Sequence, residues 1–154
     1  MLNDKIEIII KQVNPTSQKA LTLTMKLFNE LELIYGKGKI EDFTSEKGEF
    51  IYFILVYHNF ETIGCGALKH FGKETAEIKR MYVNKEFRGR GISKLILTNL
   101  EETAKEKKYK RIVLETGIRQ PEAVHLYEKY GYKRMNCYGR YTNDPESICF
   151  QKYV

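Results

Sequence analysis

The sequence predicts an α/β (α+β) domain, a mixed sheet of six to seven strands flanked by helices on both faces. Three observations carry this reading. The apolar pattern alternates between a period of two and a helical period, in the order β α β β β α β α β β. The 154 residues match one ordinary domain, 1–154, and are too few for two full ones. No repeat, low-complexity tract or Pro/Ser/Gly-rich linker divides them.

Each element has a local cause. The Ile-rich segment Lys5–Val13 reads as a strand. Asn14-Pro15-Thr16-Ser17 starts a helix that places Leu21, Met25, Phe28 and Leu31 at helical spacing, with Leu23, Leu27 and Ile34 near the same face. That helix ends at Gly36-Lys37-Gly38, and Ile40–Gly48 is a polar loop. Phe50–Tyr57 and Thr62–Lys69 form an antiparallel hairpin about a turn at His58–Glu61. After a turn at Gly72-Lys73-Glu74, strand Thr75–Val83 puts Glu77, Lys79 and Met81 on one face, and Ile78, Arg80 and Tyr82 on the other. A Gly-rich loop leads into a helix with Ile92, Leu95, Ile96, Leu100 and Ala104 as its apolar stripe. Arg111–Glu115 is a strand, and Pro121–Tyr130 is a helix begun by Pro121 and stopped by Gly131. Tyr132–Arg134 begins a strand, Tyr138–Glu146 is a turn-rich loop, and Ser147–Tyr153 is the last strand.

Composition excludes several classes. With 42% hydrophobic and 30% charged residues the chain is globular rather than disordered. Its longest apolar run, Phe50–Tyr57, is eight residues, far below the ~20 of a membrane span, and no signal-peptide pattern opens the sequence. Cys65, Cys137 and Cys149 are odd in number and lack CxxC spacing, which argues against a zinc site and against a disulfide framework. The expectation is a reduced, cytoplasmic protein with buried thiols and no metal.

The net charge of +6 is concentrated. Residues 84–111 carry nine basic and four acidic residues, whereas residues 1–83 balance. An anionic partner at that stretch, either cofactor phosphates or nucleic acid, follows from the charge. Within it, Arg88-Gly89-Arg90-Gly91 opens a helix. Two glycines admit close backbone approach, and a helix start presents unpaired N–H groups with positive dipole potential, which is what a phosphate requires. The spacing is neither a Walker loop nor a dinucleotide GxGxxG. A glycine turn that merely caps the helix is the alternative.

Residues 76–83 (Ala-Glu-Ile-Lys-Arg-Met-Tyr-Val) followed by Arg88-Gly89-Arg90-Gly91-Ile92-Ser93 resemble the acyl-CoA binding motif of the GNAT superfamily of N-acyltransferases, Arg/Gln-x-x-Gly-x-Gly/Ala, with Ser93 at its last position. Gln120, Ala123, Tyr127, Gly131 and Tyr132 are similar to the family's Asn-x-x-Ala-x-x-x-Tyr-x-x-x-Gly-Phe/Tyr helix, with Gln120 replacing Asn. The order of elements resembles that fold along nearly the whole chain and implies a mostly antiparallel sheet. The first helix matches least, and in this family that region usually shapes the acceptor site.

The resemblance implies an acetyl-CoA-dependent N-acetyltransferase acting on a primary amine of a small molecule, amino acid or peptide. The backbone N–H groups of Arg88, Gly89, Arg90, Gly91, Ile92 and Ser93 would bind the CoA pyrophosphate. Met81, Tyr82 and Val83 would pair with the pantetheine arm as an added strand does. Gln120 and Ala123 would border it, and Tyr127 would lie near the thioester sulfur. A homodimer is the common expectation for the family.

The chemistry needs a base for the ammonium and an acid for the leaving thiolate. Glu77 is the first candidate base, with pairing to Lys79 as its structural alternative. Glu115 is the rival, on the next strand, which the resemblance implies splays from the first, so that either carboxylate could face the acceptor. Tyr127 is the candidate acid, or else a core aromatic. Tyr138, Arg140 and Tyr141 form either a substrate lid with Arg140 as a carboxylate clamp, or a surface turn. His58, His70 and His125 are isolated and receive no role, and Cys65 and Cys149 read as core. Two other functions compete: a CoA-binding domain without catalysis, and a basic nucleic-acid-binding domain. The second lacks any recognisable nucleic-acid motif.

Overall fold

The computed structural model describes residues 7–36 and 50–154. The expected polar loop at 40–48 lies outside the described residues. Among the described residues, seven strands and three α-helices follow in order: β1 (Ile8–Gln12), α1 (Gln18–Tyr35), β2 (Phe50–His58), β3 (Glu61–Gly72), β4 (Thr75–Val83), α2 (Ile92–Glu106), β5 (Arg111–Gly117), α3 (Pro121–Lys129), β6 (Lys133–Met135) and β7 (Ser147–Tyr153). They build one sheet in the order β1-β2-β3-β4-β5-β7-β6. Every neighbouring pair is antiparallel except β4 and β5.

The turns follow local chemistry. Ser17 caps α1, its Oγ accepting from the Ala20 N–H, and Gly36 closes the helix by donating to the Glu32 carbonyl at 2.8 Å. Asn59 and Phe60 both have positive φ, the signature of a two-residue turn whose twist matches a hairpin.

Two apolar layers sandwich the sheet. Ala20 and Leu23 of α1 pack on Phe53, Leu55, Cys65 and Ala67. On the other face, α2 and α3 cover Ile54, Val56, Leu68, Ile78, Ile112, Leu114 and Phe150. The buried stripe of α1 is Ala20, Leu23 and Thr24, so Met25, expected inward, is half exposed. Leu27, Phe28 and Leu31 continue toward a cavity rather than the core. On α2, Leu97 is buried and the expected Leu95 is 43% exposed, because Ile92, Ile96 and Leu100 set a stripe that leaves Leu95 on its far side.

The alternation expected for β4 breaks at Arg80. Cys65 pairs with Tyr82 and Ala67 with Lys79, so Gly66 alone faces both Arg80 and Met81. Arg80 has φ +56°. This bulge turns Met81 to the α2–α3 face, away from the Lys79 side, and leaves Tyr82 packing toward α1.

α2 lies close over Gly66. A Cβ there would sit 2.6 Å from the Ile96 Cγ2 and 3.2 Å from the Leu100 Cδ1, both of fully buried side chains. Gly66→Ala is therefore expected to destabilise by about 1–3 kcal/mol and to lower Tm by roughly 3–10 °C in a melting experiment.

The cysteine expectation is corrected. Cys137 and Cys149 form a disulfide, with Cα atoms 5.1 Å apart. Pairing of Met135 with Cys149 across β6 and β7 brings the two together, a proximity that a twelve-residue spacing does not announce. Cys65 is a free buried thiol, pushed up to about 12 by burial, and its Sγ donates to the Arg80 carbonyl.

Candidate active site

β4 and β5 pair only at Thr75–Arg111, Ala76–Ile112 and Glu77–Val113. Beyond Glu77 they diverge, while their outer edges stay bonded to β3 and β7. The inner edges thus line a cleft within the sheet. Two cavities of about 430 and 640 Å³ open from it and share Leu27, Leu31, Met81, Gln120, Ala123 and Tyr127.

The larger cavity runs along the start of α2. Met81, Tyr82, Val83, Arg88, Gly89, Gly91, Ile92 and Ser93 line it, so all but one of the expected pantetheine- and phosphate-facing residues of this segment converge there. Gly89 and Gly91 have φ of +77° and +81°, which a β-carbon disfavours. A Cβ at either position would meet nothing within 4 Å, so the turn faces open space. No side chain caps α2, so its first N–H groups have no capping acceptor. Arg88 spends its side chain on the protein: Nε donates to the Val83 carbonyl, and the guanidinium grips Glu30 of α1 at 2.6 and 2.9 Å. Arg90 stacks over Phe87 instead of lining the cavity, and Lys94 lies over the Tyr130 ring.

The smaller cavity holds the acid–base candidates. Glu77, Glu115, Tyr127, Arg140 and Tyr141 all line it. Glu77 is buried, and its Oε2 accepts from the Tyr138 hydroxyl at 2.7 Å. Tyr138 thus contacts a candidate base directly rather than lining the cavity, and burial followed by the Glu77 charge holds its phenol protonated. Glu115 accepts from the Ser147 hydroxyl at 2.6 Å. Burial pushes the Glu115 carboxyl up to about 7, against the opposing pull of the Ser147 hydrogen bond and the Lys79 charge. Tyr127 is almost fully buried, its ring against Tyr132 and Phe150 and its hydroxyl 3.5 Å from the Met81 Sδ. Burial raises the Tyr127 phenol well above its ordinary value. Lys79 and Arg140 both approach the Tyr141 hydroxyl, at 3.4 and 2.9 Å.

Sequence reasoning missed Ser147 and Tyr35, and it placed Leu27, Phe28 and Leu31 on the apolar face of α1 without assigning them to a cavity. Only the apolar character of α1 hinted at a wall. A serine opening an edge-side strand and a tyrosine ending a helix carry no pattern of their own. Among the described residues, no cluster of three or more His, Cys, Asp or Glu is placed to hold a metal ion, and no helix is long and apolar enough to cross a membrane.

A family model described as the acetyltransferase (GNAT) family matches residues 18–132. The chain belongs to the GNAT acetyltransferase family. The fold agrees: a Klebsiella pneumoniae protein provisionally named an acyl-CoA N-acyltransferase superimposes with a TM-score of 0.83 at 26% identity, covering 96% of this chain and 97% of that one. A GNAT family acetyltransferase from Elizabethkingia anophelis, solved with acetyl-CoA bound, has a TM-score of 0.69 at 23% identity, over 96% and 98% of the two chains. In sequence, the uncharacterized N-acetyltransferase YsnE of Bacillus subtilis is 29% identical over 147 residues, 93% of this chain and 97% of that protein. The IAA acetyltransferase of Azospirillum brasilense is 31% identical over 103 residues, 66% of this chain and 67% of that protein. The protein is thus a GNAT N-acetyltransferase.

Proposed function

We propose that the chain is a single acyltransferase domain that moves the acetyl group of acetyl-CoA to a primary amine by direct attack, with both substrates bound together. The observation that carries this reading is the placement of Glu115 and Tyr127 on one cavity whose inner wall, at Met81 and Tyr127, is also the wall of the phosphate-facing cavity.

The residues fit the donor. The open Gly89–Gly91 turn and the uncapped start of α2 would hold the pyrophosphate, and the inner edge of β4 at Met81–Val83 would take the pantetheine arm. Acetyl-CoA supplies the activated acyl thioester. The acceptor enters as an ammonium, with an ordinary pKa near 10.4, and must shed a proton before attack. Glu115, whose carboxyl burial pushes up to about 7, takes that proton in its ionised form. The amine nitrogen bonds to the acyl carbon, the carbon–sulfur bond breaks, and the Tyr127 hydroxyl gives its proton to the departing sulfur. Tyr127 recovers its proton from the nitrogen of the adduct, and Glu115 releases its own to solvent, so one proton leaves per transfer. Glu77 is the alternative base, and Tyr138 fixes it in place. Direct transfer leaves the cysteines outside the chemistry: Cys65 is buried and protonated, and Cys149 is bonded to Cys137.

The test is thermal unfolding with acetyl-CoA, beside a duplex DNA control, followed by a panel of amines. At 100 times its Kd, acetyl-CoA should stabilise by about 2.7 kcal/mol, a shift on the order of 5–10 °C. Gly91→Asp, which puts a carboxylate where the phosphate would sit, should abolish that shift. A salt-sensitive shift with DNA and none with acetyl-CoA would refute the reading. Ser147→Ala offers a finer check. It removes the hydrogen bond that favours the Glu115 anion, so the acidic limb of the pH–rate profile should move to higher pH by about half a unit to one unit.

A further inference from the structure

The geometry points to Tyr35 as a positioning residue for the side-chain amide of Gln120, an inference that rests on the acetyl-transfer reading above. Tyr35 is the last residue of α1, and Gln120 precedes the first residue of α3. The Tyr35 hydroxyl donates to the Gln120 Oε1 at 3.2 Å and accepts from the Arg119 N–H at 3.3 Å. A phenol has one proton to give. Its oxygen takes the Arg119 N–H, its proton goes to Gln120, and the amide presents its oxygen to Tyr35 and its nitrogen the other way.

The nitrogen is what matters for function. Gln120 lines both cavities, and its Nε2 makes no hydrogen bond to a described residue. Two N–H donors therefore face the seam where a carbonyl-bearing pantetheine arm would pass. A primary amide can rotate half a turn and keep its shape while exchanging donors for an acceptor, so a residue meant to donate needs something that disfavours the wrong orientation. Tyr35 supplies that constraint.

Tyr35 is itself held in place. The Arg119 guanidinium lies 5.7 Å from its ring centroid and donates to the Ile34 carbonyl at 3.0 Å and to the Glu146 Oε1 at 2.6 Å. This clasp joins the end of α1 to the β5–α3 turn and to the segment before β7. Gly117 completes the seat, since a Cβ at that position would overlap the Tyr35 hydroxyl and lie 3.1 Å from the Gln120 Oε1. The side chain with no previous role, Tyr35, is thus the one the surroundings are shaped to admit.

Calorimetric titration with acetyl-CoA tests this without knowledge of the acceptor. Wild-type protein is titrated first, and failure to bind there would refute the donor reading itself. Given binding, Tyr35→Phe keeps the ring and its Arg119 stacking but removes the proton donor. It should weaken Kd by about threefold to tenfold, the range expected for one hydrogen bond. Gln120→Ala should weaken binding at least as much, and adding Tyr35→Phe to it should cost nothing further. Gln120→Glu, which keeps an acceptor for Tyr35 but removes both donors, should resemble Gln120→Ala. The inference is overturned if Tyr35→Phe binds as wild type, if its effect persists undiminished beside Gln120→Ala, or if Gln120→Glu binds as wild type. Should Tyr35→Phe prove unfolded by its melting curve, Gly117→Ala, whose Cβ would displace the Tyr35 hydroxyl, takes its place in the same cycle, and wild-type affinity or a loss that adds in full to that of Gln120→Ala overturns the inference.

Discussion

Glu115→Gln is expected to lower kcat by about 10²–10⁴-fold, the usual contribution of a general base. The pH dependence identifies the cause. In the wild type, activity should climb as pH rises toward about 7 and then level off, as the Glu115 carboxyl ionises. That limb should be absent from the residual activity of Glu115→Gln. If it survives there and vanishes in Glu77→Gln, the base is Glu77. Stability should move the opposite way from activity. A carboxyl with its native value at about 7 and its ordinary value at 4.5 binds more protons folded than unfolded between those limits. The wild type therefore loses stability as pH rises through that window, and the cost is fully present above about 7. Glu115→Gln removes the charge that burial penalises. It should melt like the wild type at pH 4 and be more stable by about 1–3 kcal/mol at pH 8.

Tyr127→Phe is the second large effect, a loss in kcat of about 10²-fold or more if its hydroxyl protonates the leaving sulfur. The fold should hardly notice. The ring keeps its contacts with Tyr132 and Phe150, and the one hydrogen bond forfeited is the weak contact with the Met81 sulfur. A Tm within about 2 °C of wild type, together with unchanged acetyl-CoA affinity, separates a chemical role from a packing one. Because burial keeps the Tyr127 phenol protonated, it should contribute no alkaline limb across the ordinary assay range. A variant that turns over at the wild-type rate would reassign the proton to water.

What the sequence made legible is what repeats along it. Apolar runs, alternation and helical spacing mark most elements, and the glycine turn before α2 shows as a motif because its residues are contiguous. The contribution of Arg80 is of another kind. One residue with positive φ reverses the side on which Met81 lies, and neither propensity nor pattern signals it in an arginine. Pairing across strands is equally silent. Ser147 meets Glu115, and Cys137 meets Cys149, only because β7 is inserted between β5 and β6. Glu77 and Glu115 are both visible as strand carboxylates, but the hydroxyl each accepts from, Tyr138 for one and Ser147 for the other, comes from a distant loop or strand and is not.

The divergence of β4 and β5 has a metabolic corollary. Under the proposed function, main-chain groups along the β4 edge and at the Gly89–Gly91 turn address portions of the carrier that are identical before and after transfer. Contacts of that kind hold reactant and spent carrier alike. Free CoA then competes with acetyl-CoA for the same seat, and turnover follows the ratio of the two rather than the supply of either. Any preference for the charged carrier has to be built within a few side chains of Met81 and Tyr127, where the acyl group alone would be felt.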